Sequence, residues 1–107
     1  MFARWVTMKL QPNSVREFTR TLENDIIPLL RRQTGFKDEF SFVATGDKEA
    51  VAISLWDRRE SAEAYGRGQY SEVMKLLGTV VEGTPDVQSG EVSNSTIQRI
   101  PATPPPR

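Results

Sequence analysis

The 107-residue sequence contains no cysteine and no histidine. The absence of cysteine excludes disulfides, thiolate metal sites and a cysteine nucleophile. The absence of histidine removes the most common metal ligand and the most common general base near neutral pH. We therefore expect no metal site, and any acid–base or binding chemistry must come from carboxylates, tyrosines and basic side chains.

The sequence also lacks an excess of charge and a long apolar run. Fourteen Lys and Arg balance fourteen Asp and Glu, so no strong field attracts nucleic acid or an anionic membrane. No apolar run approaches the roughly 20 residues that span a bilayer, and "MFARWVTMKL" lacks the apolar core of a signal peptide. We expect a soluble, cytoplasmic protein that binds neither nucleic acid nor membrane.

The length is that of one domain, which we place at residues 1–100. The remaining segment, "PATPPPR" at residues 101–107, is rich in proline and favours an extended, solvated chain. We expect this tail to be disordered. The alternative is an arm that lies over a partner subunit.

The first half of the chain alternates between two apolar periods. "FARWVTMKL" has period two and predicts a strand, with Arg4 in its apolar phase. From Val15 onward apolar residues recur every three or four positions, which predicts a helix capped by Asn13 or Ser14. Pro28 falls inside this pattern, so the helix should kink or end near Ile27.

The second half of the chain contains the patterns of two strands, a helix and a final strand. "FKDEFSFVA" and "AVAISLW" predict two strands joined by a turn at "TGDKE". Asp57 is the predicted N-cap of a second helix, with Glu60 completing the capping arrangement. Gly66 and Gly68 interrupt that helix, and a final strand is predicted within "VQSGEVSNSTIQRI".

The order strand, helix, strand, strand, helix, strand predicts an α+β, ferredoxin-like fold. It has a four-stranded antiparallel sheet with both helical regions on one face. The predicted strand phases place Trp5, Val43 and Trp56 on the uncovered face, where an apolar patch indicates an interface. We expect a homodimer packed sheet against sheet. Alternatively, the phases are wrong by one residue and both tryptophans lie in the core.

Three segments, "GFKDEF", "AVAISLWDRRESAEAY" and "YSEVMKLL", resemble the antibiotic biosynthesis monooxygenase family of dimeric α+β barrel proteins. The resemblance covers about residues 2–98. It implies a dimer whose two sheets form a barrel, with a pocket between helices and sheet in each protomer. Family members include cofactor-independent oxygenases of polycyclic aromatic phenols, heme-degrading enzymes, quinol oxygenases and proteins without an established activity.

The heme-degrading branch of this family uses an Asn on the first strand and a Trp and a His in the second helical region. Those positions correspond to Val6, Tyr65 and Lys75 in this sequence. Because no histidine is present, the axial ligand of the heme has no equivalent. The resemblance therefore favours a cofactor-free monooxygenase of an aromatic or quinol-type molecule over a heme-degrading enzyme.

A cofactor-free oxygenase needs an apolar slot for the substrate and polar groups to hold its anion. The candidate catalytic residues are Arg4, Asp38, Tyr65 and Tyr70. In the alternative interpretation, Arg4 and Asp38 lie near strand ends or pair with each other, and both tyrosines belong to the core. The candidate pocket residues come from strands and helices: Phe40, Phe42, Ile53, Leu55, Phe18, Leu22 and Val73.

A second hypothesis is a non-catalytic dimeric domain that binds a ligand or acts in a stress response. In that case side chains such as Phe40, Phe42 and Tyr65 would fill the pocket. A continuous apolar cavity that contains an unpaired polar group would favour the enzyme.

Overall fold

A computed structural model describes residues 1–96. The strands are β1 (Phe2–Leu10), β2 (Phe36–Val43), β3 (Glu49–Trp56) and β4 (Val81–Glu91). The helices are α1 (Val15–Thr21), a π-helical turn (Leu22–Ile26), α2 (Ile27–Arg31), α3 (Arg59–Arg67) and α4 (Tyr70–Leu76). The predicted disordered tail, residues 101–107, lies outside the described residues.

The four strands form one antiparallel sheet in the order β2-β3-β1-β4. This is the predicted ferredoxin-like arrangement, with two strand–helix–strand halves and the helices on one face. The main core lies between the helices and that face of the sheet. Its largest fully buried side chains are Trp56, Phe18, Met8, Ile26 and Leu77. Among the described residues, no helix is long and apolar enough to cross a membrane.

The first helical region is interrupted near its proline, because the π-helical turn ends at Ile26 and α2 begins at Ile27. Pro28 has no backbone N–H and its ring crowds the preceding turn, so regular α-helical bonding cannot continue through it. The backbone N–H of Ile27 instead reaches the Leu22 carbonyl, five residues back, and the chain forms a π-helical turn before α2. Ser14 is the N-cap of α1, without a capping bond from its side chain.

A bulge in β2 reverses the predicted orientation of most of this strand, so that side chains expected to face the helices lie on the other side of the sheet. Phe36 pairs with Trp56 and Asp38 pairs with Leu55, so Lys37 is the extra residue. Beyond the bulge, Glu39, Ser41 and Val43 face the helices, whereas Asp38, Phe40 and Phe42 lie on the uncovered face of the sheet, the open face. The predicted positions of Val43 on the open face and of Phe40 and Phe42 in the core are therefore wrong.

The phase of β3 also differs from the prediction. Arg4 pairs with Ser54 and Phe2 with Trp56, so the even-numbered residues of β3 face the helices. Trp56 is fully buried in the core, which excludes it from an interface on the open face. Ile53 and Leu55 have their side chains on the open face by register, next to Trp5 and Ala3.

The second helical region begins two residues after the predicted cap. Arg58 is the N-cap of α3, and no side chain forms a capping bond. The Asp57 carboxylate instead accepts hydrogen bonds from the Ser61 hydroxyl and the Arg58 backbone N–H, which lower the pKa of Asp57. Gly68 ends α3 and separates it from α4.

The last strand begins earlier than predicted. β4 starts at Val81, whereas the segment predicted to contain the strand begins at Val87. The pairing of β4 with β1 shifts between Thr7 and Lys9, and Gly83 there has φ +71°. Such a bulge has no regular alternation, so apolar periodicity cannot detect this part of a strand.

Candidate functional site

The Arg4 side chain is buried on the helix-facing side of β1, with an exposed fraction of 7%. Its Nη1 is the one buried side-chain nitrogen or oxygen that lacks a hydrogen-bond partner in residues 1–96. None of the ion pairs among these residues involves Arg4. Burial lowers the pKa of the Arg4 guanidinium. The site therefore contains a buried cation with a free donor.

Two tyrosine rings hold the Arg4 guanidinium. Its Cζ lies 4.2 Å from the ring centroid of Tyr70 and 5.4 Å from that of Tyr65, within the range of cation–π attraction. Gly66 packs beside the same group, because a Cβ there would lie 3.5 Å from Arg4 Nη2. Gly66 lies within α3, so the predicted interruption there is wrong, and the break falls at Gly68 between the two tyrosines that contact Arg4.

The tyrosines continue an aromatic cluster that begins in the sheet. The Trp56 ring stacks on Tyr65 at a centroid distance of 5.1 Å, and Tyr65 meets Tyr70 edge to face at 6.1 Å. Trp56 Nε1 donates to the Ser54 hydroxyl at 2.9 Å, and Ser54 donates to the Arg4 carbonyl oxygen at 3.3 Å. These contacts fix the rings. Burial raises the pKa of Tyr65 and, less strongly, that of Tyr70, so both hydroxyls remain protonated at neutral pH.

Glu39 brings a carboxylate to this side of the sheet. The Ser41 hydroxyl donates to Glu39 Oε2 at 2.5 Å. Burial raises the pKa of Glu39, and the hydrogen bond from Ser41 opposes that rise. The negative charge of Glu39 also contributes to the raised pKa of Tyr65, which places the two side chains in one electrostatic environment.

These polar groups border one cavity of about 40 Å³ between the helices and the sheet. Such a volume holds roughly three water molecules. Most of its wall is apolar. The lining residues are Arg4, Val6, Met8, Leu22, Ile26, Leu30, Glu39, Ala52, Ile53, Ser54, Tyr65, Tyr70, Val73, Met74 and Leu77. In chemical terms this arrangement offers a cation and two hydroxyl donors to a ligand oxygen in mostly apolar surroundings.

The structure brings together three of the four predicted catalytic candidates. Arg4, Tyr65 and Tyr70 border the cavity. Asp38 lies on the opposite face, because the bulge in β2 turns it away, so its predicted position is wrong. Glu39 occupies the side that was predicted for Asp38, and sequence periodicity gave no signal of this exchange.

The predicted pocket residues divide between the two faces. Leu22 and Val73 line the cavity, and Ile53 borders it although its side chain belongs to the open face by register. Phe18 lies deeper in the core, 1% exposed. Phe40 and Phe42 are 40% and 51% exposed on the open face. Leu55 is buried on that same face, outside the main core cluster.

A larger concavity of about 1110 Å³ lies at the other end of the sheet, beside the β2–β3 turn and the start of α1. Its charged side chains balance, with Lys9, Arg16 and Lys48 against Asp47, Glu49 and Glu82. Arg4, whose Nη1 is the unpaired buried donor of the described residues, does not line this concavity. We therefore assign the candidate site to the smaller cavity.

The described residues contain no cluster of three or more acidic side chains that could hold a metal ion. The candidate site itself combines a guanidinium, a carboxylate and two phenols around a mostly apolar cavity.

Comparisons with known proteins show the fold. The sequence matches no protein-family model and no curated protein. Among solved structures, a Streptomyces coelicolor monooxygenase from the gene ActVA-Orf6, in complex with nanaomycin D, has a TM-score of 0.75, 14% identity and 92% coverage of each chain. SnoaB, a cofactor-independent oxygenase of Streptomyces nogalater, has a TM-score of 0.71 and 14% identity, over 91% of this chain and 97% of SnoaB.

Other matching structures broaden the comparison. A Nitrosomonas europaea protein of unknown function has a TM-score of 0.73 and 17% identity, with 94% of each chain covered. A solved antibiotic biosynthesis monooxygenase has a TM-score of 0.68 and 12% identity, over 88% of this chain and 100% of that one. One fold thus includes oxygenases and a protein whose function is unknown.

Proposed function

We propose that this chain, which has the fold of the antibiotic biosynthesis monooxygenases, binds a small aromatic or quinol-type molecule and oxidises it without a cofactor. The observation that carries the proposal is Arg4 Nη1, a buried donor without a partner in the described chain. An unsatisfied buried polar group costs about 1–3 kcal/mol. A ligand oxygen in the cavity would satisfy it.

The residues present suit a reaction in which the substrate supplies the electrons. A phenol or enol loses a proton, and the resulting anion reacts with molecular oxygen. The Arg4 guanidinium would bind the anion, and the protonated Tyr65 hydroxyl would donate to it. The apolar wall would keep water from weakening these interactions.

The structural neighbours support an oxygenase of this kind. SnoaB is a cofactor-independent oxygenase, and the monooxygenase from the ActVA-Orf6 gene was solved with a small molecule bound. Because their identity to this chain is 14%, they do not transfer a substrate. The aromatic or quinol-type class of the proposal comes from the family resemblance, and the Tyr65 and Tyr70 rings that contact Arg4 are compatible with it.

The alternative function is a non-catalytic ligand-binding or stress-related domain. The cavity volume of about 40 Å³ favours this alternative, because it admits the polar end of a phenol but not several fused rings. Binding of a larger molecule would require α4 to move outward. The break at Gly68, where α3 ends and α4 follows, is the place at which such a movement would occur.

We also propose that the protein is a homodimer joined through the open face of the sheet. This face carries Trp5 together with Phe40, Phe42, Ile53 and Leu55. Both phenylalanines are substantially exposed. An exposed apolar patch of this kind is typical of an interface, and a twofold dimer covers it with a copy of itself. The residues of this interface replace Trp56 and Val43, which face the helices.

The proposed activity is tested by oxygen consumption with a panel of phenols and hydroquinones, together with native mass spectrometry of the protein purified from its own cells. We expect oxygen uptake that depends on a phenol. Arg4→Met should lower kcat/KM by about 100- to 1000-fold, as expected for loss of an anion-binding donor. Because methionine keeps an apolar stem and removes the unpaired buried charge, the free energy of unfolding should fall by less than about 1 kcal/mol.

Arg32→Met is the matched control, since Arg32 is an exposed arginine at the end of α2. It should leave oxygen uptake unchanged. Phenol binding without oxygen consumption would support the non-catalytic alternative. Absence of both binding and oxygen uptake would contradict a phenol site in this cavity.

A further inference from the structure

Arg4 and Glu39 lie in one row across three strands of the sheet. Ser54 of β3 pairs with Arg4 of β1 on one side and with Glu39 of β2 on the other. All three side chains face the helices and border the same cavity. Since neighbouring strands are about 4.8 Å apart, the Cα atoms of Arg4 and Glu39 are roughly 10 Å apart.

The small Ser54 side chain leaves space between the cation and the carboxylate. Its hydroxyl donates to the Arg4 carbonyl oxygen and accepts from Trp56 Nε1, so it stays close to the sheet. No ion pair joins Arg4 to Glu39 among the ion pairs of residues 1–96. The row therefore holds a cation and a base on either side of a gap, and neither satisfies the other.

We propose that Glu39 is the catalytic residue that accepts the proton of the substrate hydroxyl, which lies above Ser54 with its oxygen next to Arg4. This inference rests on the proposed function, because it names the base of that reaction. In the step, the substrate O–H bond breaks and its electron pair stays on the oxygen. The proton moves to a Glu39 carboxylate oxygen, and the oxyanion binds Arg4. Molecular oxygen reacts only afterwards.

The surroundings of Glu39 suit a proton acceptor. Arg4 of β1, Tyr65 of α3 and Tyr70 of α4 border the same cavity as Glu39, while the first helical region contributes apolar side chains to it. Ser41 on its own strand donates to one carboxylate oxygen. Burial raises the pKa of Glu39, which makes its carboxylate a stronger base towards a phenol. As the pH falls through that pKa, Glu39 becomes protonated and the step should stop.

The test uses the full chain and 4-nitrophenol, a single-ring phenol whose anion is yellow. The pH is set below the pKa of the free phenol and above that of Glu39. Absorbance reports whether the bound phenol is an anion, and titration calorimetry in two buffers of different ionisation enthalpy counts the protons released. For the native chain we expect a bound yellow anion with no net release of protons, because Glu39 retains the proton.

Glu39→Gln keeps the size of the side chain and removes the base. Its bound phenol should stay colourless, or turn yellow only with release of one proton per phenol to the buffer. Glu72→Gln makes the same chemical change at an exposed position of α4 and should behave as the native chain does.

The outcomes separate this inference from the proposed function. If the native chain binds the phenol in its colourless form, Glu39 is not the acceptor, although the binding site stands. If Glu39→Gln still binds a yellow anion without proton release, another group accepts the proton and the inference is wrong. If the native chain binds no phenol, the proposed site fails and the inference fails with it.

Discussion

Both tyrosines of the chain belong to the candidate site, so the tyrosine signal of the whole protein reports on it. Burial raises the pKa of Tyr65 and of Tyr70, and the nearby Arg4 charge only partly offsets this effect. An absorbance titration of tyrosinate should therefore show both groups ionising above the ordinary pKa of about 10, with Tyr65 last. Ionisation of either tyrosine at its ordinary pKa in the folded protein would contradict its burial beside Arg4.

The raised pKa of Tyr65 also makes the free energy of unfolding depend on pH in the alkaline range. Above a pH of about 10 the unfolded chain loses the Tyr65 proton while the folded chain keeps it, so the free energy of unfolding falls as the pH rises. The slope for Tyr65 approaches about 1.4 kcal/mol per pH unit, until the pH reaches the raised pKa. Tyr65→Phe removes this contribution and serves as the control in the same denaturation series.

Single residues of the site differed in how well the sequence predicted them. Arg4 was identifiable because a charged residue interrupts the apolar phase of β1, and the tyrosines because they flank a glycine break. Glu39 was not, since Asp38 and Glu39 are adjacent carboxylates and only the bulge at Lys37 decides which of them faces the helices. Nothing in the composition of "FKDEF" specifies a bulge.

Among the secondary-structure elements, the junction between α2 and β2 depends on one glycine. Gly35 has φ +80°, and a Cβ there would collide with the Asp57 carboxylate and the Ser61 hydroxyl. The Gly35 carbonyl also accepts from the Asp57 N–H at 2.8 Å. Gly35→Ala should destabilise the protein by at least about 1–2 kcal/mol from backbone strain alone, which lowers the Tm by roughly 4–16 °C.

Gly83→Ala is the control for this substitution. Gly83 has a similar φ of +71°, but a Cβ there would meet nothing within 4 Å. The difference between the two variants in thermal unfolding measures the close packing of Gly35 against the start of α3. Equal losses would show that only backbone conformation matters at Gly35.

The element order and the sheet topology were predictable because periods of two and of three to four residues alternate clearly along the chain. The phase of β3 was not. Apart from Glu49 and Ser54, its residues are apolar on both faces, so alternation cannot show which side meets the helices. The larger Val51, Ile53 and Leu55 suggested a core face, but Ala50 and Ala52 give the helices room to approach.

For the molecule as a whole, the bulge in β2 makes the open face more apolar, because it places Phe40 and Phe42 there. This supports the proposal that the open face is an interface. We expect light scattering after size exclusion to give the mass of a dimer. Phe42→Glu should raise the dimer dissociation constant by roughly 30-fold or more, since an unpaired charge buried in an interface costs at least about 2 kcal/mol.

Leu76→Glu provides the comparison on the helical side. Leu76 is also an exposed apolar residue, 38% accessible on α4, and its replacement should leave the dimer intact. A native chain that elutes as a monomer at micromolar concentration would overturn the assignment of the open face.

The two tryptophans of the chain lie on opposite sides of one sheet. Trp56 is enclosed and stacked on Tyr65 beside the cavity, whereas Trp5 is partly exposed on the open face. The two indole rings thus lie in unlike surroundings. Under the proposed function and dimer, we expect ligand binding to change the fluorescence of Trp56 and assembly to change that of Trp5. The two proposals would then give separate optical signals in a single unlabelled sample.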